Sequence, residues 1–266
     1  MTDSISLAGQ IAVVTGGSRG IGRQIAKDLA AAGAIVAVTG RSRENLDETV
    51  AVVQAEGGQA SAFIMDVVDT AQVHAVMQDI STQLGPIDLL VNNAGIGAES
   101  ATPWEVHVDD WWRVLEVNVR GAFACAHAVM PGMVERKRGR IINVGSNAGL
   151  GPAPMATAYS VSKAALLRLG ENLAASLSEH NISVFTFSPG LVYTDMTKDI
   201  HRYLDIQADD WVPVERAGAM CVFLASGQAD KLSGRYFHAK LDDVDDIVQR
   251  ADAIIEDDLH AMRLRR

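Results

Sequence analysis

Short β-branched apolar runs alternate along this chain with longer stretches whose apolar positions recur every three to four residues. Ile11–Thr15, Ile35–Thr39, Ala62–Met65, Leu89–Val91, Arg140–Val144 and Ser183–Phe187 read as strands, apolar on both faces as strands covered by helices on both sides should be. Between and beyond them, Ile21–Ala32, Arg43–Glu56, Thr70–Leu84, Asp109–Val134 and Ala158–Glu179 carry the period of helices. Gly33, Gly57 and Gly85 stand where helix C-caps are expected. Regular alternation of strand and helix predicts an α/β fold with a doubly wound parallel sheet and right-handed crossovers.

The last segment differs in character. Leu241, Val244, Ile247, Val248, Ala251, Ile254, Ile255, Leu259 and Met262 fall on one helical stripe. Asp242, Asp243, Asp245 and Asp246 lie at its start and Arg263, Arg265 and Arg266 at its end, signs that suit the helix dipole. The pattern predicts a C-terminal amphipathic helical extension over 241–266, packed either on its own domain or on a neighbouring subunit. At 266 residues the whole chain, 1–266, is expected to form a single domain.

Composition narrows the function classes. Hydrophobic residues make up 48% and charged residues 21%, a globular balance. The formal net charge of −10 argues against a broad basic face for nucleic acid. Two cysteines, Cys125 and Cys221, cannot build a disulfide framework or a cysteine zinc site, and fit a reducing compartment. The histidines show no ligand spacing, so no metal is expected. The first residues carry no basic and apolar leader, and the longest apolar run, around Leu29–Val38, is about half a bilayer span. The expectation is a cytoplasmic protein without a membrane anchor.

Candidate chemistry begins after the first strand, at Thr15-Gly16-Gly17-Ser18-Arg19-Gly20-Ile21-Gly22. Glycines there let the backbone approach a pyrophosphate, and the following helix offers free N–H groups and a positive dipole end. Enzymes that read NAD place an acid near the end of the second strand to accept from the ribose 2′-hydroxyl. Thr39-Gly40-Arg41-Ser42 holds none. Arg41 and Arg19 instead offer forks for a 2′-phosphate, and remote negative charge is screened beyond about 8 Å. NADP(H) is therefore expected in preference to NAD(H).

Tyr159 and Lys163 are four apart in a helical pattern and share a face. Ser146 follows the fifth strand, Asn92-Asn93-Ala94-Gly95 the fourth, and Pro189-Gly190-Leu191-Val192-Tyr193-Thr194 the sixth, at the carboxyl ends where open α/β sheets bind ligands. With the glycine loop, Asp66 and Asn118, these residues resemble the short-chain dehydrogenase/reductase family in its compact branch, over about Leu7 to Gly234, with Ser146 thirteen residues before Tyr159.

The resemblance implies a Rossmann-type sheet of about seven strands, order 3-2-1-4-5-6-7, with helices on both faces. It implies a catalytic set in which Tyr159 is the general acid or base. Lys163 would hold the nicotinamide ribose and lower the tyrosine pKa, Ser146 would hydrogen-bond the substrate oxygen, and Asn118 would position a water in a proton relay. Gly16, Ser18, Arg19, Gly20, Ile21, Gly22, Arg41, Asp66, Val67, Asn93, Ala94, Gly95, Pro189, Gly190, Val192 and Thr194, with Tyr159 and Lys163, would bind the cofactor. It further implies a homo-oligomer, tetramer or dimer, built from the helices around Asn118–Val134 and Ala158–Glu179.

The segment through Met196, Ile200, His201, Tyr203, Leu204 and Trp211, the loop Ile96–Trp104 and Leu150–Met155 are expected to wall the substrate site. Their apolar and aromatic character suits a neutral ketone or alcohol. The resemblance thus implies an NADP(H)-dependent carbonyl reductase or alcohol dehydrogenase, and two other readings stand beside it. One is a carrier-linked 3-oxoacyl reductase, for which Arg136, Lys137, Arg138 and Arg140 form a candidate docking cluster. The other is a non-catalytic NADP(H)-binding protein, against which the intact acid–base set counts.

Overall fold

The computed structural model describes residues 5–202 and 205–264. Strands β1 (Ile11–Thr15), β2 (Ile35–Gly40), β3 (Gln59–Ile64), β4 (Ile87–Asn92), β5 (Gly139–Val144), β6 (Ile182–Ser188) and β7 (Tyr236–His238) form a seven-stranded parallel sheet, ordered β3-β2-β1-β4-β5-β6-β7. The helices are α1 (Gly20–Ala31), α2 (Arg43–Ala55), α3 (Thr70–Leu84), α4 (Val108–Leu115), α5 (Ala122–Arg136), α6 (Thr157–Leu177), α7 (Glu215–Ala225), α8 (Val244–Gln249) and α9 (Ala251–Glu256). One face of the sheet packs on α1, α2, α7 and the C-terminal segment, through Ile25, Leu29, Leu46, Met220 and Leu224. The other packs on α3, α5 and α6, through Met77, Ile80, Val129, Met133 and Leu173. The expected Rossmann-type order and two helical layers are both present. No described helix is long and apolar enough to cross a membrane.

Three elements differ from their sequence patterns. β3 is an edge strand with Gln59 and Ile64 exposed, so it is not covered on both faces. The helix expected over Asp109–Val134 is interrupted at Glu116–Gly121 by a π-helical turn. Such a turn adds a residue without disturbing the apolar spacing on either side, which hides it from a periodicity argument.

The C-terminal stripe is not one helix. The chain turns at Arg250 between α8 and α9, and again at Asp258 and His260, whose φ angles are positive. Asp243 caps α8 by accepting from the N–H groups of Asp245 and Asp246. The turn at Arg250 drops Ile247 and Ile254 into the same core at 2% and 1% exposure, while Val248, Ile255 and Leu259 stay outside. Beyond α9 the chain covers the open edge of the sheet. Tyr236 N–H donates to the His260 carbonyl, and His260 Nδ1 lies 2.8 Å from the Tyr236 carbonyl. Arg263 then joins Glu171 on α6 and Asp258. Arg265 and Arg266, expected to end the stripe, lie outside the described residues.

Truncating Ile254 to Ala is expected to cost about 3 kcal/mol of unfolding free energy, the usual loss for a fully buried aliphatic side chain. Urea unfolding measures it, and an unchanged midpoint would show that this segment contributes nothing to the core.

Candidate active site

β1 and β4 are neighbours in the sheet, yet the chain leaves β1 toward β2 and returns on the other side. The connections diverge here and leave a crevice at the carboxyl ends of the strands. Thr15 and Asn93 stitch its floor. The Thr15 hydroxyl donates to the Val91 carbonyl at 3.3 Å and accepts from the N–H groups of Asn93 and Ala94 at 3.0 Å each. Asn93 Nδ2 donates back to the carbonyls of Thr15 and Gly16, at 2.9 and 3.0 Å.

The glycine loop fits beneath this stitch only without side chains. A Cβ on Gly22 would stand 2.3 Å from the Gly16 carbonyl oxygen and 2.4 Å from Asn93 Nδ2. Gly16 takes φ +63, and a Cβ there would meet the Ala94 backbone at 2.9 Å. α1 begins beside this loop with no side-chain cap and no acid in its first turn. Its first N–H groups and its dipole are therefore available to an anion, as a pyrophosphate requires. The residues present fit a dinucleotide.

A cleft of about 610 Å³ opens above the loop. Its lining includes Gly16, Ser18, Arg19, Gly20, Ile21, Gly22, Arg41, Asp66, Val67, Asn93, Ala94, Gly95, Ser146, Tyr159, Lys163, Pro189, Gly190, Val192 and Thr194. Every residue expected at the cofactor is thus brought to one cavity. Asp66 is held by its neighbours: its N–H donates to Gln72 Oε1, and its carboxylate accepts from Val68 N–H. Arg41 is exposed on the rim, while Arg19 is drawn across the mouth to Asp195, 2.6 Å away.

Tyr159, in the first turn of α6, and Ser146, directly after β5, meet on one wall. Burial raises the pKa of the phenol, and a hydrogen bond with Ser146 pulls it back only in part. The lowering expected from Lys163 does not set the net direction. Lys163 is itself buried, its Nζ donating to the Val144 carbonyl at 2.9 Å and standing 5.5 Å from the centre of the Tyr159 ring. Burial pushes this ammonium down to about 8.

Asn118 does not line the cleft. It sits fully buried in the π-helical turn, behind the wall. Its Oδ1 accepts from Ile96 N–H at 2.8 Å, and its Nδ2 donates to the Ile96 carbonyl and to Ser162 Oγ, each at 3.0 Å. The side chain is thereby spent on fixing the segment after Gly95.

The substrate walls are only partly those expected. Ile96 and Met196 line the cleft, but Leu150–Met155 and Trp104 do not. Ala101 N–H donates to the Met155 carbonyl, so these two loops meet each other at the rim, with Leu150, Met155 and Trp104 turned to solvent. Trp211 packs edge-on to Tyr193 instead of entering the cavity. Tyr203 and Leu204 lie outside the described residues. Sequence reasoning missed Arg113 and Asp195 in the lining, and Tyr236 behind it. Arg113 is paired with Glu116 at 2.6 Å. The Tyr236 hydroxyl donates to Asn147 Oδ1 at 2.6 Å, next to Ser146. Only the position of Tyr236 in a strand-like run beside the sixth strand could have suggested it.

A short-chain dehydrogenase family model matches residues 10–204. The chain belongs to the short-chain dehydrogenase family. A short-chain dehydrogenase of Pseudocercospora fijiensis is 40% identical over 71% of this chain, a match that spans 62% of that relative's own length. The 3-oxoacyl-[acyl-carrier-protein] reductase of Salmonella typhimurium is 34% identical, over 88% of this chain and 97% of the relative. A gluconate 5-dehydrogenase from Burkholderia cenocepacia, solved with NADP and tartrate, superposes with a TM-score of 0.81 at 31% identity, covering 89% and 95% of the two chains. This short-chain dehydrogenase shares the fold of that solved relative.

Lys163 ties the site to pH. The unfolded chain keeps this proton to near 10.5, the folded chain only to about 8. Between those values folding releases a proton, so stability is expected to rise with pH across the window. Lys163→Met should flatten that rise relative to the unchanged chain, as read by urea unfolding at the two ends of the window. Parallel slopes would show that the lysine is not desolvated.

Proposed function

We propose that this chain is an NADP(H)-dependent oxidoreductase that moves a hydride between the nicotinamide and a carbonyl or secondary alcohol of a small molecule, with Tyr159 as general acid and base. The observation that carries this reading is the meeting of Ser146, Tyr159 and Lys163 on the wall of the cleft whose floor is the glycine cradle. The dinucleotide, when bound, supplies or accepts the hydride.

The chain's own groups account for the proton. Reduction of a carbonyl builds negative charge on its oxygen, and the Ser146 hydroxyl is a fixed donor for it. Tyr159 is held protonated by burial, the form that reduction consumes. A positive charge 5.5 Å from the ring centre favours the phenolate and opposes the burial without setting the net direction. Lys163, protonated below about 8, supplies that charge. Asn118 is a positioning residue, its side chain spent on the backbone of Ile96 and on Ser162.

The NADP(H) preference rests on Arg41, which has no ion-pair partner among the described residues, and on the lack of an acid at the end of β2. The substrate wall supports a neutral carbonyl, since the charge of Arg113 is taken by Glu116. Likeness to the 3-oxoacyl reductase favours a carrier-linked thioester as the second reading. The cluster that would dock an acidic carrier is largely engaged within the chain: Arg140 binds Asp230, Arg138 binds Asp88, and Arg136 donates to the Ile87 carbonyl.

A homo-oligomer completes the proposal. Trp112 on α4 at 61% exposure, Phe123 on α5 and Val161 on α6 are exposed apolar side chains of the kind that a second copy would cover. A cytoplasmic location accords with the free, buried thiols of Cys125 and Cys221.

NADPH oxidation against a panel of ketones, diketones, sugars and a 3-oxoacyl thioester tests the activity. Tyr159→Phe is expected to lower turnover by at least about a hundredfold while NADPH still binds. Substantial residual turnover would refute the role of the tyrosine. Arg41→Ala should weaken NADPH binding by about tenfold and leave NADH nearly unchanged. An equal loss for both would remove Arg41 from the 2′-phosphate.

A further inference from the structure

Arg19 and Asp195 are separated by 176 residues and meet across the mouth of the cleft. Arg19 stands at the start of α1, and Asp195 in the segment that follows β6. Arg19 Nη1 donates to Asp195 Oδ2 at 2.6 Å, with the two side chains 66% and 56% exposed. Beside this pair, the Thr194 methyl lies 3.4 Å from where a Cβ on Gly20 would stand, so the two rims touch. The other carboxylate oxygen of Asp195 lies 4.0 Å from Lys198 Nζ.

We propose that Asp195 is a specificity-determining residue for the cofactor: its carboxylate competes with the 2′-phosphate of NADP(H) for Arg19. This rests on the NADP(H) reading above. Arg19 is held by Asp195, so it recognises a 2′-phosphate only after leaving that pair. An exposed pair is weak enough to exchange. A phosphate monoester carries more charge than a carboxylate and accepts a guanidinium fork equally well. Lys198 lowers the barrier further, because Asp195 keeps a cationic neighbour when Arg19 departs. NADH presents only a hydroxyl at the same place and leaves the pair intact. Asp195 thus holds the discrimination between the two cofactors below what Arg19 and Arg41 would give unopposed, and the phosphate that captures Arg19 also unfastens the segment after β6 from the glycine loop.

Asp195→Asn keeps the size of an exposed side chain and removes its charge. Fluorescence titrations with NADPH and with NADH, needing no substrate, read the effect. The variant is expected to bind NADPH about three- to fivefold more tightly, the size of an exposed ion pair, with NADH unchanged. The gain should vanish when Arg19→Ala is combined with Asp195→Asn. Weaker binding of both dinucleotides would overturn the proposal, since the pair would then be a strap that closes over either one. An equal gain for both, no change in either, or a gain that persists without Arg19 would overturn it as well. If the unaltered chain binds neither dinucleotide, the oxidoreductase reading falls and takes this one with it. If it binds NADPH and Asp195→Asn changes nothing, only the competition falls.

Discussion

The crevice between β1 and β4 depends on the reciprocal hydrogen bonding of Thr15 and Asn93. Opposite connections diverge at that point in any sheet of this strand order, and the divergence alone would leave two loops free to drift. Here each loop satisfies the other's backbone groups: the threonine hydroxyl bridges Val91, Asn93 and Ala94, and the asparagine amide returns to Thr15 and Gly16. Polar groups bonded in this way gain little free energy each, but leaving one unmade in a buried place costs more than it contributes. The stitch therefore works chiefly by excluding other arrangements of the loop. Gly16 and Gly22 follow from it, because the space above and below the asparagine amide has no room for a Cβ.

The wall that carries Ser146, Tyr159 and Lys163 is assembled from different parts of the chain, and its groups are tuned by burial more than by mutual charge. The lysine lies low in the wall and gives a hydrogen to a β5 carbonyl, while the tyrosine is kept protonated. Support comes from behind. Asn118 clamps both backbone groups of Ile96 from within a π-helical turn, and Tyr236 holds Asn147 beside Ser146. The C-terminal segment, through the backbone pairing of His260 with Tyr236, covers the sheet edge from which that second support projects.

Several expectations failed for a common reason. The 241–262 stripe was apolar at helical spacing, yet the chain turns at Arg250, with Ile247 and Ile254 on either side of the turn both buried in the core of the domain. Leu150 and Met155 carry the composition of a pocket wall but sit on a loop that pairs with Ala101 and faces outward. The four-residue basic cluster was in sequence only a candidate for docking, and its arginines find partners brought in by β4 and by the turn before β7. In each case the partner is far along the chain, where neither period nor composition carries information.

Alternation of strand and helix, the glycine spacing after β1, and the offsets among Ser146, Tyr159 and Lys163 are local properties; the alternation was enough for a doubly wound parallel sheet, and the family resemblance that the motifs carry supplied the strand order and the cleft residues. Such local properties are informative because a strand buried on both faces, a loop without room for side chains and two residues one helical turn apart leave the backbone few alternatives. Long-range partnership belongs to the packed molecule. Arg19 reads as a free phosphate ligand in the sequence, and the fold sets Asp195 against it; Asn118 reads as a catalytic group, and the fold turns its side chain to a backbone clamp. A side chain's charge and hydrogen-bonding capacity are written in its identity, but what spends them is decided by whichever group the three-dimensional path brings within reach.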